Sequence, residues 1–210
     1  MAQSTRGLYS LLRLPGAYTA FQQTIARGDP QRMLTERYIR PHPGDRVVDV
    51  GCGPGVMLEY LGEVDYTGID IDAGYIESAR RRYGKRAEFI CDRAEEAVER
   101  LAGKADLVLG KALLHHLDDP QARAFLRAAA AILKPGGRLI TFDNVHLSPQ
   151  RRVARLLIAL DRGKNVRTLD QYVALAKQSF ASVESYLHHD LLRVPYDHCV
   201  MVCSNPRAPE

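Results

Sequence analysis

One stretch constrains this chain more than any other: Val47-Val48-Asp49-Val50, followed by Gly51-Cys52-Gly53-Pro54-Gly55. Apolar strand residues run straight into three glycines. Glycine permits a tight turn and lets the backbone approach a ligand closely. Val56 to Leu61 then opens a helix, whose first N–H groups lack intrahelical partners. Strand, glycine turn and helix in that order make a nucleotide-binding arrangement. Alone, the same pattern also serves as an ordinary strand-to-helix connection. A dinucleotide loop needs GxGxxG or GxGxxA, and Val56 fills the last of those positions with a branched Cβ. No GK[ST] follows, which argues against a Walker loop.

The rest of the chain repeats that unit. Strands are predicted at Arg46–Val50, Tyr66–Ile71, Ala87–Cys91, Ala105–Leu109 and Arg138–Phe142. Helices are predicted between them, at Val56–Leu61, Ala73–Tyr83 with Asp72 as N-cap, Ala94–Leu101 and Pro120–Leu133. Lys134-Pro135-Gly136-Gly137 is expected to close the last of these. This alternation predicts an α/β fold, a three-layer sandwich around a mostly parallel sheet. Upstream, Leu8 to Gly28 reads as two short helices broken at Pro15-Gly16, and Gln31–Ile39 as a third. Downstream, Pro149–Asp161 and Leu169–Phe180 read as helices. Ser182–Leu192 and His198–Ser204 read as a terminal β-hairpin.

Composition narrows the classes. The net charge of +4 is mild, and the runs Arg80-Arg81-Arg82 and Arg151-Arg152 fall in predicted helices, where a solvated face is the expected reading. No nucleic-acid partner is expected. No stretch has the length of a membrane span, and the N-terminus lacks a signal-peptide core. Cys52, Cys91, Cys199 and Cys203 make no zinc pattern and read as reduced thiols of a cytoplasmic protein.

Acids stand at the ends of successive strands. Asp49 precedes the glycine loop, Asp70 ends Gly68-Ile69-Asp70, and Asp92 follows Phe89-Ile90-Cys91. A carboxylate at Asp70 can accept both hydroxyls of a ribose. Asp92 can accept from an exocyclic amine. Each acid alone is also a plausible helix cap, but three at successive strand ends exceed that explanation.

With these residues in view, the chain resembles the class I S-adenosylmethionine-dependent methyltransferases. The match lies in DVGCGPG, GID, the acid at Asp92, ADLVLGKALLHHL and LKPGGRLITFD, over Arg46 to Asp143. The resemblance implies a seven-stranded sheet with its last strand antiparallel. It implies S-adenosylmethionine as cofactor and S-adenosylhomocysteine as product, with a small-molecule methyl acceptor. It puts the cofactor on Asp49, Gly51, Cys52, Gly53, Gly55, Asp70, Ile71, Asp92, Arg93, Gly110 and Lys111. The expected organisation is one methyltransferase domain over residues 1–210. Within it, residues 1–43 form a helical cap and 44–146 the cofactor core. Residues 147–181 form a helical insert and 182–204 the hairpin, with cap and insert as a lid.

Methyl transfer from a sulfonium mainly requires alignment and exclusion of water. A base matters only where the nucleophile holds a proton. His115 is the candidate base, although a packing or hydrogen-bonding role is the commoner one for a histidine there. Tyr18, Lys111, His115 and Asp143 are the candidate acceptor contacts. Asp143-Asn144 resembles the acidic pair of magnesium-dependent O-methyltransferases, but Gly110-Lys111 stands where the third ligand belongs, so no metal is expected. The [DN]PP[YF] pattern of amino-methylating DNA and RNA enzymes is missing after the fourth strand, as are the paired glutamates of protein arginine methyltransferases. Two alternatives remain: a non-catalytic cofactor-binding scaffold or sensor, and a nicotinamide-dependent reductase.

Overall fold

The computed structural model describes residues 28–148, 165–189, 191 and 197–207. The expected helices at Leu8–Gly28 and Pro149–Asp161, and Tyr18 with them, lie outside the described residues apart from Gly28.

The strands are β1 (Arg46–Val50), β2 (Asp65–Asp70), β3 (Glu88–Cys91), β4 (Ala105–Lys111), β5 (Leu133–His146), β6 (Arg167–Thr168), β7 (Phe180–His188) and β8 (His198–Pro206). They form one sheet in the order β3-β2-β1-β4-β5-β8-β7, with the two-residue β6 pairing the end of β5. Every pairing is parallel except those of β8, which runs antiparallel to both β5 and β7. The expected architecture is therefore the observed one, with β6 as an addition.

Strand alternation assigns the two faces. Val48, Val108, Leu139, Val145 and Met201 point to a core closed by α3 (Ala94–Leu101), α4 (Asp119–Ile132) and α5 (Leu169–Ala176). Val47, Leu107, Leu109, Ile140 and Val200 point to a second core, closed by α1 (Pro30–Leu34) and α2 (Ala73–Tyr83). Two helices start where sequence chemistry favours it. Asp72 accepts the Gly74 and Tyr75 N–H groups at α2, and Asp118 with Gln121 forms a reciprocal capping box at α4.

Several boundaries differ from expectation. Val56–Tyr60 is only a 3₁₀ segment, because Gly62 turns left-handed and β2 starts at Asp65. The predicted Gln31–Ile39 helix is a short α1 that widens into a π-turn, Thr35–Ile39, and stops at left-handed Arg40. Lys134 to Gly137 does not separate helix from strand. β5 already pairs at Leu133 with Ala105, and the extra residues form a bulge before Arg138 pairs with Leu107. α5 ends at Ala176, and Phe180 begins β7 with its side chain fully buried.

Candidate active site

All the strand-end groups meet at the carboxyl edge of the sheet, the usual ligand crevice of an open α/β sheet. In one half, over β1–β3, the glycine loop is pinned from below. Gly51 and Cys52 donate to the Ile69 carbonyl at 2.8 and 3.1 Å. Gly53 donates to Asp70 Oδ2 at 2.8 Å, and the Asp72 N–H bonds Asp70 Oδ1 at 2.9 Å. Burial raises the Asp70 pKa while those bonds oppose it. Each Asp70 oxygen keeps acceptor capacity, since a carboxylate offers about four lone-pair sites. Gly53 lies at φ +54° and a Cβ there would meet nothing within 4 Å, so the loop fronts open space. Gly55 differs: at φ +78° a Cβ would sit 2.9 Å from Phe89 Cε1, so its lack of a side chain serves packing.

The remaining expected residues of this half take distinct positions. Asp92 is exposed; its N–H donates to the Asp70 carbonyl at 3.1 Å, and its Oδ1 accepts the Arg93 N–H at 2.8 Å. The Arg93 guanidinium pairs with Glu95 at 3.1 Å. Ile71 stands 63% exposed beside Asp70, the most exposed large apolar side chain among the described residues. The Cys52 thiol turns into the core, where burial raises its pKa, so only its backbone faces the crevice. Asp49 is buried and its Oδ2 accepts the Tyr66 hydroxyl at 2.7 Å. Burial lifts its pKa to about 6, against the Tyr66 bond and the Lys111 charge.

The other half lies over β4, β5 and β8. Gly110 packs against α4, where a Cβ would come 2.7 Å from Phe125 Cζ. Lys111 points to the opposite face, and its stem lines a narrow apolar crevice with Leu34, Ile39, Met57, Ile140 and Phe142. Burial lowers the Lys111 pKa, with the Asp49 and Asp29 charges opposing. Ala112 follows at φ +52°, a strained value for a residue with a Cβ. A 3₁₀ turn, Leu114–His116, then carries two histidines. His115 is buried, and its Nδ1 lies 2.8 Å from Asp143 Oδ1. The same oxygen accepts the His115 backbone N–H at 3.2 Å. Asp143 Oδ2 is buried with no hydrogen-bond partner among the described residues.

Lys111, His115 and Asp143 thus reach one edge, but alternation puts Asp143 on the α4–α5 face and Lys111 on the α1 face. Sequence reasoning missed the crevice residues of α1 and Met57. It also missed His198, which is buried, stacked 4.8 Å from the Phe142 ring and lowered by burial to a pKa of about 4. The position of His198 at the start of the hairpin's second strand was the available signal. The Arg80–Arg82 run is engaged within the chain: Arg80 bonds the Phe89 carbonyl, Arg81 pairs with Glu77, and Arg82 with Glu59. Among the described residues no three His, Cys, Asp or Glu side chains converge as a metal site.

Comparison with known proteins bears on the family and the fold. Residues 47–137 match the family model described as a methyltransferase domain. Over that stretch the chain resembles the class I S-adenosylmethionine-dependent methyltransferases. Among its relatives, the ubiquinone biosynthesis O-methyltransferase of Bordetella avium is 35% identical over 112 residues, which is 51% of this chain and 45% of that protein. The chain therefore spans less than half the length of that curated relative. Among solved structures, Haemonchus contortus phosphoethanolamine N-methyltransferase 2 in complex with S-adenosyl-L-methionine superposes with a TM-score of 0.72 at 16% identity. The superposition covers 94% of this chain and 59% of that one. A SAM-dependent methyltransferase from Archaeoglobus fulgidus superposes at 0.68 and 18% identity, covering 89% and 99%. The open front of Gly53, the spare Asp70 acceptors and the exposed Ile71 fit an adenosine-bearing group. No helix among the described residues is long and apolar enough to cross a membrane.

Proposed function

We propose that this methyltransferase methylates a hydroxyl of a small aromatic molecule seated over the ends of β4 and β5. The buried His115–Asp143 pair carries the reading. A carboxylate only accepts, so His115 Nδ1 holds a proton, and in the neutral imidazole Nε2 then holds a lone pair. An imidazole fixed in that tautomer can take a proton from a phenol. The name of the Bordetella relative supports oxygen as the atom methylated. The cofactor supplies a methyl group on a positively charged sulfur. In this reading Asp70 holds the ribose, Ile71 and Asp92 flank the adenine with Arg93 beside them, and Asp49 to Gly55 face the amino-acid end, next to Gly110 and Lys111. Asp143 orients His115, and Tyr18 with the insert completes the acceptor side. We take residues 1–210 as one functional unit of cap, core, insert and hairpin. Its four free thiols support a reducing, cytoplasmic setting.

A specific observation favours a second role for His115. Asp143 also holds its backbone N–H, as a brace between the β4 turn and β5 would. Isotope-labelled S-adenosylmethionine, offered to phenols, alcohols, amines and carboxylic acids, tests the proposal. Product is expected on phenols, and His115→Ala should slow it by about 10²–10⁴ with cofactor affinity retained. Normal turnover in that variant overturns the base assignment. A lowered melting temperature with activity tracking unfolding assigns the brace. Cofactor binding without product on any class indicates a scaffold or sensor.

A further inference from the structure

Arg167 lies far in sequence from any of these groups, in the two-residue β6 that leads into α5. It is buried. A guanidinium carries five N–H donors, and here each has an acceptor. Nη1 donates to the Leu114 carbonyl at 3.0 Å and the Asn165 carbonyl at 3.1 Å. Nη2 donates to the Leu117 carbonyl at 2.8 Å and Asp119 Oδ1 at 2.7 Å. Nε donates to the same Asp119 oxygen at 3.1 Å. The Tyr172 ring covers the cation, with its centroid 5.8 Å away. The neighbouring Asn165 N–H adds a bond to the His115 carbonyl at 3.0 Å.

These bonds converge on one short element. The carbonyls of Leu114, His115 and Leu117 all belong to the turn that bears His115, and Asp119 opens the helix behind it. The Leu114 carbonyl already accepts the Leu117 N–H at 3.1 Å, and Arg167 adds a second donor to it. Asn165 and Arg167 supply donors to the His115 and Leu117 carbonyls from the segment that leads into α5. Burying a fully paired guanidinium is costly, and a surface ion pair to Asp119 would not need it. Arg is suited to the task because its donors form a rigid planar fork, which Lys lacks.

We propose that Arg167 is a positioning residue: it fixes the Leu114–Leu117 turn so that His115 is held against Asp143. The proposal rests on the reading of His115 as the base. It concerns His115 through its imidazole geometry rather than through turnover, so the two can fail separately. The test uses the full chain with ¹⁵N-labelled histidine, S-adenosylhomocysteine titration, and the variants Arg167→Met and Arg167→Lys. In the unsubstituted protein His115 should show a protonated Nδ1 and a bare Nε2. Arg167→Met should give averaged shifts of mixed tautomers, with S-adenosylhomocysteine affinity changed by no more than about twofold. Arg167→Lys should fall between, because a single ammonium cannot serve two carbonyls and Asp119 together. If Arg167→Met does not fold, the Lys variant decides alone. Turnover of a panel phenol should fall about tenfold or more while the cofactor KM holds. An unchanged His115 pattern in every folded variant overturns the proposal, as does a loss of S-adenosylhomocysteine affinity that matches the spectral change. Neither spectra nor titration needs an acceptor.

Discussion

The two halves of the carboxyl edge use their polar groups in opposite ways. Over β1–β3 the groups stay open: Asp70 has spare acceptors, Gly53 fronts empty space, and Ile71 exposes an apolar side chain. Over β4, β5 and β8 they are turned inward. Arg167 uses all five donors within the chain, and His115 is held by Asp143 from both ring and backbone. On the proposed reading, the first half receives a ligand that never changes. The second spends its polar chemistry on holding a turn in shape, and an apolar crevice opens on the opposite face beside α1. Changes in the first half should therefore act on cofactor affinity, and changes in the second on stability and acceptor chemistry.

The largest expected effect lies in the second half. Asp143→Ala removes the carboxylate that takes both His115 donors and strands them in a buried site. A buried donor left unsatisfied costs about 1–3 kcal/mol of folding stability, and here two are stranded. Urea unfolding of the ligand-free protein measures it, and S-adenosylhomocysteine titration of the folded variant should be nearly unchanged. A cofactor affinity that collapses together with stability would erase the distinction between the halves.

Asp70→Ala is the mirror experiment. Losing hydrogen bonds from a carboxylate to two hydroxyls should weaken S-adenosylhomocysteine binding by on the order of 1.5–3 kcal/mol. Stability should fall less, because the freed Gly53 and Asp72 N–H groups lie at a partly open edge where water can replace the acceptor. Calorimetry that shows unchanged affinity would move the ribose elsewhere.

The same contrast governs what could be read from the sequence. The cofactor half is local. Asp49, the glycine loop, Asp70 and Asp92 each sit at the end of their own strand, so strand alternation and glycine position were enough to line them up. The acceptor half depends on contacts across long stretches of chain. Arg167 reaches Leu114 and Asp119 over 53 and 48 residues, and no periodicity encodes such a bond. The π-turn at Thr35–Ile39 and the bulge before Arg138 were illegible for a related reason. Both are set by packing against a neighbouring strand or helix rather than by the residues' own preferences. The residues expected beside Lys111 share its edge of the sheet, with Lys111 on the α1 face and Asp143 on the α4–α5 face. Position along a strand was legible, but the crevice depends on what α1 brings to it.

Asp49 gives a smaller effect with a definite sign. Its folded pKa is raised from 3.8 to about 6, so the folded state binds the proton more tightly than the unfolded chain does. Stability is then greatest below the unfolded value and falls as pH rises through that window. Asp49→Asn removes the titration. At about pH 8 it should gain on the order of 1–3 kcal/mol, reduced by its weaker bond to Tyr66, and near pH 4 the gain should vanish. Urea midpoints at the two pH values check this. An equal gain at both would mean that the carboxylate is not strained by burial, and the cofactor half would then hold no stored cost.

Ile71 should give the smallest effect and the cleanest one. A branched apolar side chain at 63% exposure contributes little to the core, so Ile71→Ser should leave stability within about 0.5 kcal/mol. If the adenine lies against it, the ligand buries what water now touches. Losing that burial should cost about 1 kcal/mol of binding, or roughly fivefold in Kd. The loss must follow the base and not the amino acid. 5′-Methylthioadenosine keeps the adenine and lacks the amino-acid end, so its affinity should drop by the same factor as that of S-adenosylhomocysteine. A drop confined to S-adenosylhomocysteine would place Ile71 beside the amino-acid end and reverse the order in which the cofactor runs along the edge. No drop for either ligand would leave Ile71 as an exposed residue without a role, and the open character of the first half would then rest on Asp70 and the glycine loop alone.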